Sequence, residues 1–142
     1  MAINNQKVVV GGLGAGVVMA VLDFLANGVL FREQNTAALN ALNPNLAANV
    51  EGGAAIAVFI VMDFLFGILL VWTYAAMRPR FGPGPRTALF AALQLWLVAF
   101  FLYFGMTAMG MWTGTYFVIG SLVFLVCLLA ASYVGAMLYK EE

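Results

Sequence analysis

Gly11–Phe31 reads GGLGAGVVMAVLDFLANGVLF, and a later stretch, Gly52–Trp72, reads GGAAIAVFIVMDFLFGILLVW. Each opens on a Gly-Gly pair, continues through small and apolar residues, and places Asp-Phe-Leu near its middle. Asp23 and Asp63 are the acidic residues inside the long apolar runs, and no Lys, Arg or His shares those runs with them. A carboxylate at the centre of a membrane helix costs roughly 2.5–3.5 kcal/mol on insertion scales. Something must offset that cost, so the functional reading begins at these two residues.

The rest of the composition agrees with a bilayer as solvent. The 142 residues are 65% hydrophobic and only 8% charged, with a mean hydropathy of +1.01, whereas soluble domains are about 25% charged. Net charge is zero and no basic tract carries interleaved aromatics, which argues against a nucleic-acid partner. The chain has no His and a single Cys127. The usual haem and zinc ligands are therefore missing, and neither a cofactor nor a metal site is expected. Lys7 ahead of an apolar run imitates a signal peptide, but the run is longer than a signal core and contains Asp23, so it is read as a span.

Hydropathy predicts an all-α four-helix bundle in one domain, with spans at 8–31, 53–77, 87–109 and 115–138; about 20 apolar residues cross the hydrocarbon core. In the first span Gly12, Gly16 and Ala20 recur every fourth residue as a small-residue ridge, and Asp23 and Asn27 continue the same face. The polar connection 32–51 predicts a short helix from Thr36 that stops near Asn43-Pro44. Asn43 is read as the cap of a further helix leading into the second span, with Pro44 at its first position. Trp72 and Tyr74 are read as interface anchors. Arg78–Arg86 (RPRFGPGPR) holds three arginines and three prolines, and is expected to break the helix. Arg78, Arg80 and Arg86 there form a basic turn that fixes topology, with an anionic-lipid or phosphate role as the alternative. Gln94, Ser121 and Ser132 are expected to bond between helices or to the backbone. Lys7, the three arginines and Lys140 fall on one side, against Arg32 with Glu33 and Glu51 on the other, so both termini are expected in the cytoplasm.

Trp72–Ala88 (WTYAAMRPRFGPGPRTA) resembles a segment of small uncharacterised multi-pass bacterial inner-membrane proteins, its Arg-Pro-Arg-Phe-Gly-Pro-Gly-Pro core being the specific part. The resemblance implies a bacterial inner-membrane location and supplies no activity.

Depth links the two aspartates. At about 1.5 Å per residue, Asp23 lies about 12 Å and Asp63 about 15 Å below the outer ends of their spans, with Tyr103 and Ser121 about 10 Å down in theirs. Asp23, Asn27, Asp63, Tyr103 and Ser121 are therefore the candidate polar intramembrane site. If the two carboxyls face each other with no cation, both cannot stay ionised, and a shared proton would clasp the helices directly or through one water. No nucleophile–base constellation is present, so an enzyme is not expected. The first reading is a non-enzymatic accessory or scaffold subunit, or a self-associating bundle, whose partners are lipid, other membrane subunits or its own copies. The alternative is a proton- or cation-coupled small-solute transporter or channel built on Asp23 and Asp63.

Overall fold

The structure, a computed structural model, describes residues 3–139; Lys140, counted above in the charge balance, lies outside the described residues. Helix α1 (Asn5–Asp23) winds on without a break into a π-helical stretch, Phe24–Leu30. Two short helices, α2 (Arg32–Leu42) and α3 (Leu46–Val50), lead into α4 (Gly53–Phe81), α5 (Pro85–Ala108) and α6 (Gly114–Leu138). No strand occurs among the described residues. Four stretches, Asn5–Leu30, α4, α5 and α6, are long and apolar enough to cross a membrane.

Local chemistry sets the ends of these helices. The Asn4 side chain accepts from the Lys7 amide at 3.1 Å, and Thr113 accepts from the Tyr116 amide at 3.2 Å, so each satisfies an otherwise orphaned donor at a helix start. Between α4 and α5 only Gly82-Pro83-Gly84 is non-helical. Gly82 (φ 81°) and Gly84 (φ 123°) adopt backbone conformations that side chains with a Cβ resist, and Pro85 then opens α5.

Four expectations need correction. The predicted break at Arg78–Arg86 is much shorter, because α4 runs through Pro79 to Phe81. Pro79 removes one amide donor near the end of α4, yet the turn after it still closes, the Gly82 amide donating to the Arg78 carbonyl at 2.8 Å. Tyr74 is a core residue, not an interface anchor. It is buried, its hydroxyl accepts from the Gly84 amide at 3.1 Å, and its ring meets Tyr139 edge-on. Asn43 caps no helix; its side chain accepts from the Asn45 amide in a local turn, and α3 ends before the second span begins. Gln94 is exposed on α5, with no interhelical bond, whereas Ser132 does bridge helices, donating to the Ala88 carbonyl at 2.7 Å.

The helices alternate in direction. α1 packs on α4 and α6, and α5 packs on the same two. The fully buried apolar residues gather in one half of the bundle, where the start of α1 meets the ends of α4 and α6; Ala15, Leu70, Ala91, Leu128 and Ala131 lie there. This closed end is knitted by Tyr139, whose hydroxyl accepts from the Asn4 amide at 3.3 Å and whose ring lies 5.3 Å beneath the Arg78 guanidinium. Arg80 and Arg86 are exposed nearby in sequence, Arg86 over the Phe90 ring at 5.5 Å.

Glycine makes the closed end close. A Cβ placed on Gly67 would sit 2.5 Å from both the Gly12 carbonyl oxygen and the Gly16 nitrogen. One on Gly12 would reach the Ile68 backbone at 2.5 Å, and one on Gly16 the Phe64 Cα at 2.8 Å. On the other side of α1, a Cβ on Gly11 would lie 2.9 Å from the Gly135 carbonyl oxygen. Ala20, the next step of the ridge, is half-buried.

These contacts predict that Gly16→Leu or Gly67→Leu destabilises the bundle by roughly 1–3 kcal/mol, the usual cost of overpacking, because the obstacle is backbone. Gly105→Ala, where the added carbon meets nothing within 4 Å, serves as the control. Reversible unfolding in mixed micelles checks both; an unchanged midpoint for Gly16→Leu would show that the ridge is not an interface.

Candidate functional site

Beyond Met19 the small-residue ridge ends and the helices part. A cavity of about 370 Å³ fills the space, within the range of small-molecule sites. All four long helices line it, joined by the start of α2. Asp23, Asn27, Asp63, Tyr103 and Ser121, each singled out in the sequence by depth or polarity, all lie on its wall. Gly12 and Gly16 lie in the α1–α4 contact and not on its wall, and Arg78, Arg80 and Arg86 belong to the opposite end.

The four-residue spacing of Asp23, Asn27, Phe31 and Asn35 would not keep to one face of a regular helix, since each step advances about 40° beyond a full turn. The π-helical stretch widens the turn, closing with the Phe31 amide bonded to the Ala26 carbonyl at 2.8 Å, and so offsets that drift. All four side chains reach the cavity. They form a directed chain: Asn35 Nδ2 donates to Asn27 Oδ1 at 3.1 Å and to the Asn27 carbonyl at 3.2 Å, and Asn27 Nδ2 donates to Asp23 Oδ1 at 2.7 Å.

Asp63 is treated differently. It is half-buried across the cavity, within electrostatic reach of Asp23, yet has neither a hydrogen bond nor an ion pair among the described residues. No hydrogen bond joins the two carboxyls, so the direct form of the expected clasp is not made; Asp23 takes Asn27 instead. Ser121, only 9% exposed, makes neither the interhelical nor the backbone bond expected of its side chain: the hydroxyl has no partner, and only its carbonyl is used, accepting from Trp96 Nε1 at 2.9 Å. The buried thiol of Cys127 also borders the space.

The remaining wall is largely aromatic, including Phe59, Phe66, Trp96, Phe100, Tyr116 and Phe124. Phe66 meets Phe124 edge-on at 5.8 Å, and Phe100 packs against Trp96 at 5.1 Å and Phe117 at 5.0 Å. Neither Lys nor Arg lines the cavity. Sequence reasoning missed these rings because aromatics are common throughout the chain and depth alone does not fix helix rotation. Asn35 was within reach of it, as the next step of the Asp23–Asn27–Phe31 series. Above the cavity, Arg32 and Glu51 pair at 3.1 Å and tie the start of α2 to the end of α3. Among the described residues no cluster of three or more His, Cys, Asp or Glu is placed to hold a metal ion.

No known protein family, curated protein or solved structure matches the chain.

The amide chain gives an ordered expectation. Asn27→Ala removes the bond to Asp23 and should cost more stability, on the order of 1–2 kcal/mol, than Asn35→Ala. In the double variant the two losses should be less than additive, because Asn27→Ala already removes the Oδ1 that Asn35 donates to, while the Asn35 bond to the carbonyl of residue 27 survives it. Unfolding midpoints of the three variants measure this, and strict additivity would show that the three residues do not act as a chain.

Proposed function

We propose that this protein is a multi-pass integral membrane protein of the bacterial plasma membrane whose open-half cavity binds a small solute and couples its movement to a proton or cation at Asp23 and Asp63. The observation that carries the reading is the convergence of Asp23, Asn27, Asp63, Tyr103 and Ser121, drawn from four helices, on one cavity. A carboxyl within a membrane span is expensive and is retained where it faces a partner or a pathway. Asp63 has no partner among the described residues, which favours a pathway over a structural clasp.

The asymmetry of the bundle fits such a role. One half is shut by glycine contacts and the other stands open around the acidic groups, as in a carrier or channel accessible from one side. The excess of arginine at the closed end supports assigning that end, with both termini, to the cytoplasmic side. Under this assignment the cavity opens toward the outer leaflet. The scaffold reading keeps one observation in its favour: Gln94 is exposed within an apolar span, where a second copy would satisfy its amide. No chemistry beyond binding and proton or cation exchange is assigned to the site.

Two measurements test this. In a Cys127→Ser background, a cysteine at position 45 should react with an impermeant maleimide added to cells, and one at position 84 should not; the reverse would overturn the orientation. In proteoliposomes on a solid-supported membrane, the wild type should give transient currents on addition of some members of a panel of cationic, neutral and anionic solutes. Asp23→Asn with Asp63→Asn should abolish them while circular dichroism stays unchanged. Currents no larger than those of empty liposomes across the panel, or equal in the double variant, would overturn the transport reading.

A further inference from the structure

The walls of the cavity select among ligands. Two carboxyl side chains line it, no basic side chain answers them, and the aromatic residues Phe59, Phe66, Trp96, Phe100, Tyr116 and Phe124 are among the rest of the wall. An aromatic face carries a negative quadrupole and attracts cations, the more so when water is excluded. An anion would meet two acidic groups with no counter-charge. A divalent metal would want several oxygens at short range, and no cluster of three or more ligating side chains exists among the described residues. A sugar would need many directional polar partners, whereas most of the residues on this wall are apolar or aromatic.

Resting on the reading of this cavity as a solute site, we propose that its ligand is a lipophilic organic cation of one positive charge, a quaternary or substituted ammonium bearing an aromatic or branched apolar group. The charged head lies between Asp23 and Asp63. Asp63 is the carboxyl free to receive it, since Asp23 is already held by Asn27. The apolar portion packs among Phe66, Trp96, Phe100 and Phe124. The Ser121 hydroxyl, buried and without a partner, borders the same space and supplies the polar contact for a substituent on the ligand. The volume, about 370 Å³, takes one such molecule and not a phospholipid.

A matched pair of probes tests the proposal: benzyltrimethylammonium and its uncharged carbon counterpart, neopentylbenzene, which have nearly the same shape. Binding is measured by ligand NMR as the excess over protein-free nanodiscs, with Trp96 fluorescence read in a Trp72→Phe, Trp112→Phe background. The cation should bind at least about tenfold more tightly than the hydrocarbon. Asp63→Asn should remove that preference, and Asp63→Glu should restore part of it. Should Asp63→Asn fail to fold, the comparison of the two probes on the wild type decides alone. Equal binding of the two, or a preference that persists in folded Asp63→Asn, would overturn the cation assignment while leaving the cavity as a solute site. Binding of neither probe would overturn the assignment, and if the solute panel also gives no current the cavity reading falls with it.

Discussion

The close crossing of α1 and α4 at Gly12, Gly16 and Gly67 governs the rest of this structure. Between apolar helices in an apolar solvent the hydrophobic effect supplies little net attraction, so association depends on how many atoms touch. Removing three side chains lets backbone meet backbone, and dispersion then acts over a continuous surface. The same crossing has a geometric consequence. Past it, α4 brings Phe59 and Met62 to the same cavity that Met19 of α1 borders. Helices that touch at glycine at one end must separate where bulky side chains stand between them. The cavity is thus the counterpart of the glycine contact, and α5 and α6 close around it with aromatic side chains.

The two aspartates occupy that separation under different terms. Asp23 sits at the junction between α-helix and π-helix, and the wider turn allows Asn27 and then Asn35 to follow it along one wall. Its oxygen is satisfied by a chain of amides reaching out to α2. Asp63 stands in regular helix with aromatic neighbours, and nothing local donates to it. Similar sequence contexts, Asp-Phe-Leu in both, therefore give one stabilised carboxyl and one left available. The repeat read in the sequence is accurate as a pattern of residues, but the backbone treats its two copies differently.

Much of the fold was legible because apolar run length is a strong signal: four long helices and short connections follow from counting. The level placing of the two aspartates does not hold, since Gly16 meets Phe64 and so leaves Asp23 more than a helical turn beyond Asp63. The five polar residues picked out in the sequence nevertheless line one cavity. What counting missed depends on partners distant in sequence or on the difference between a marginal and a decisive helix breaker. Tyr74 reads as an interface residue until the amide of Gly84 is seen to turn back onto its hydroxyl. Pro79 reads as a stop, yet the stop comes where Gly82 and Gly84 adopt positive φ. The aromatic character of the cavity was invisible because rotation about each helix axis is set only by packing. Gln94 reads as an interhelical group for the same reason, and it is rotation that turns it outward.

The treatment of Asp63 bears most directly on the choice between a scaffold and a solute-binding protein. A bundle selected only for stability gains by supplying each embedded carboxyl with a donor, as Asn27 does for Asp23, or by replacing it with an apolar residue. Here the site retains an unpartnered carboxyl, an unpartnered serine hydroxyl and unfilled volume together. Each lowers stability, and a methyl or amide substitution at either position would relieve it. Defects of this kind scattered through a protein would have no common cause. Gathered around one cavity, beside an amide chain that leads to the surface, they favour the solute-binding reading over the scaffold.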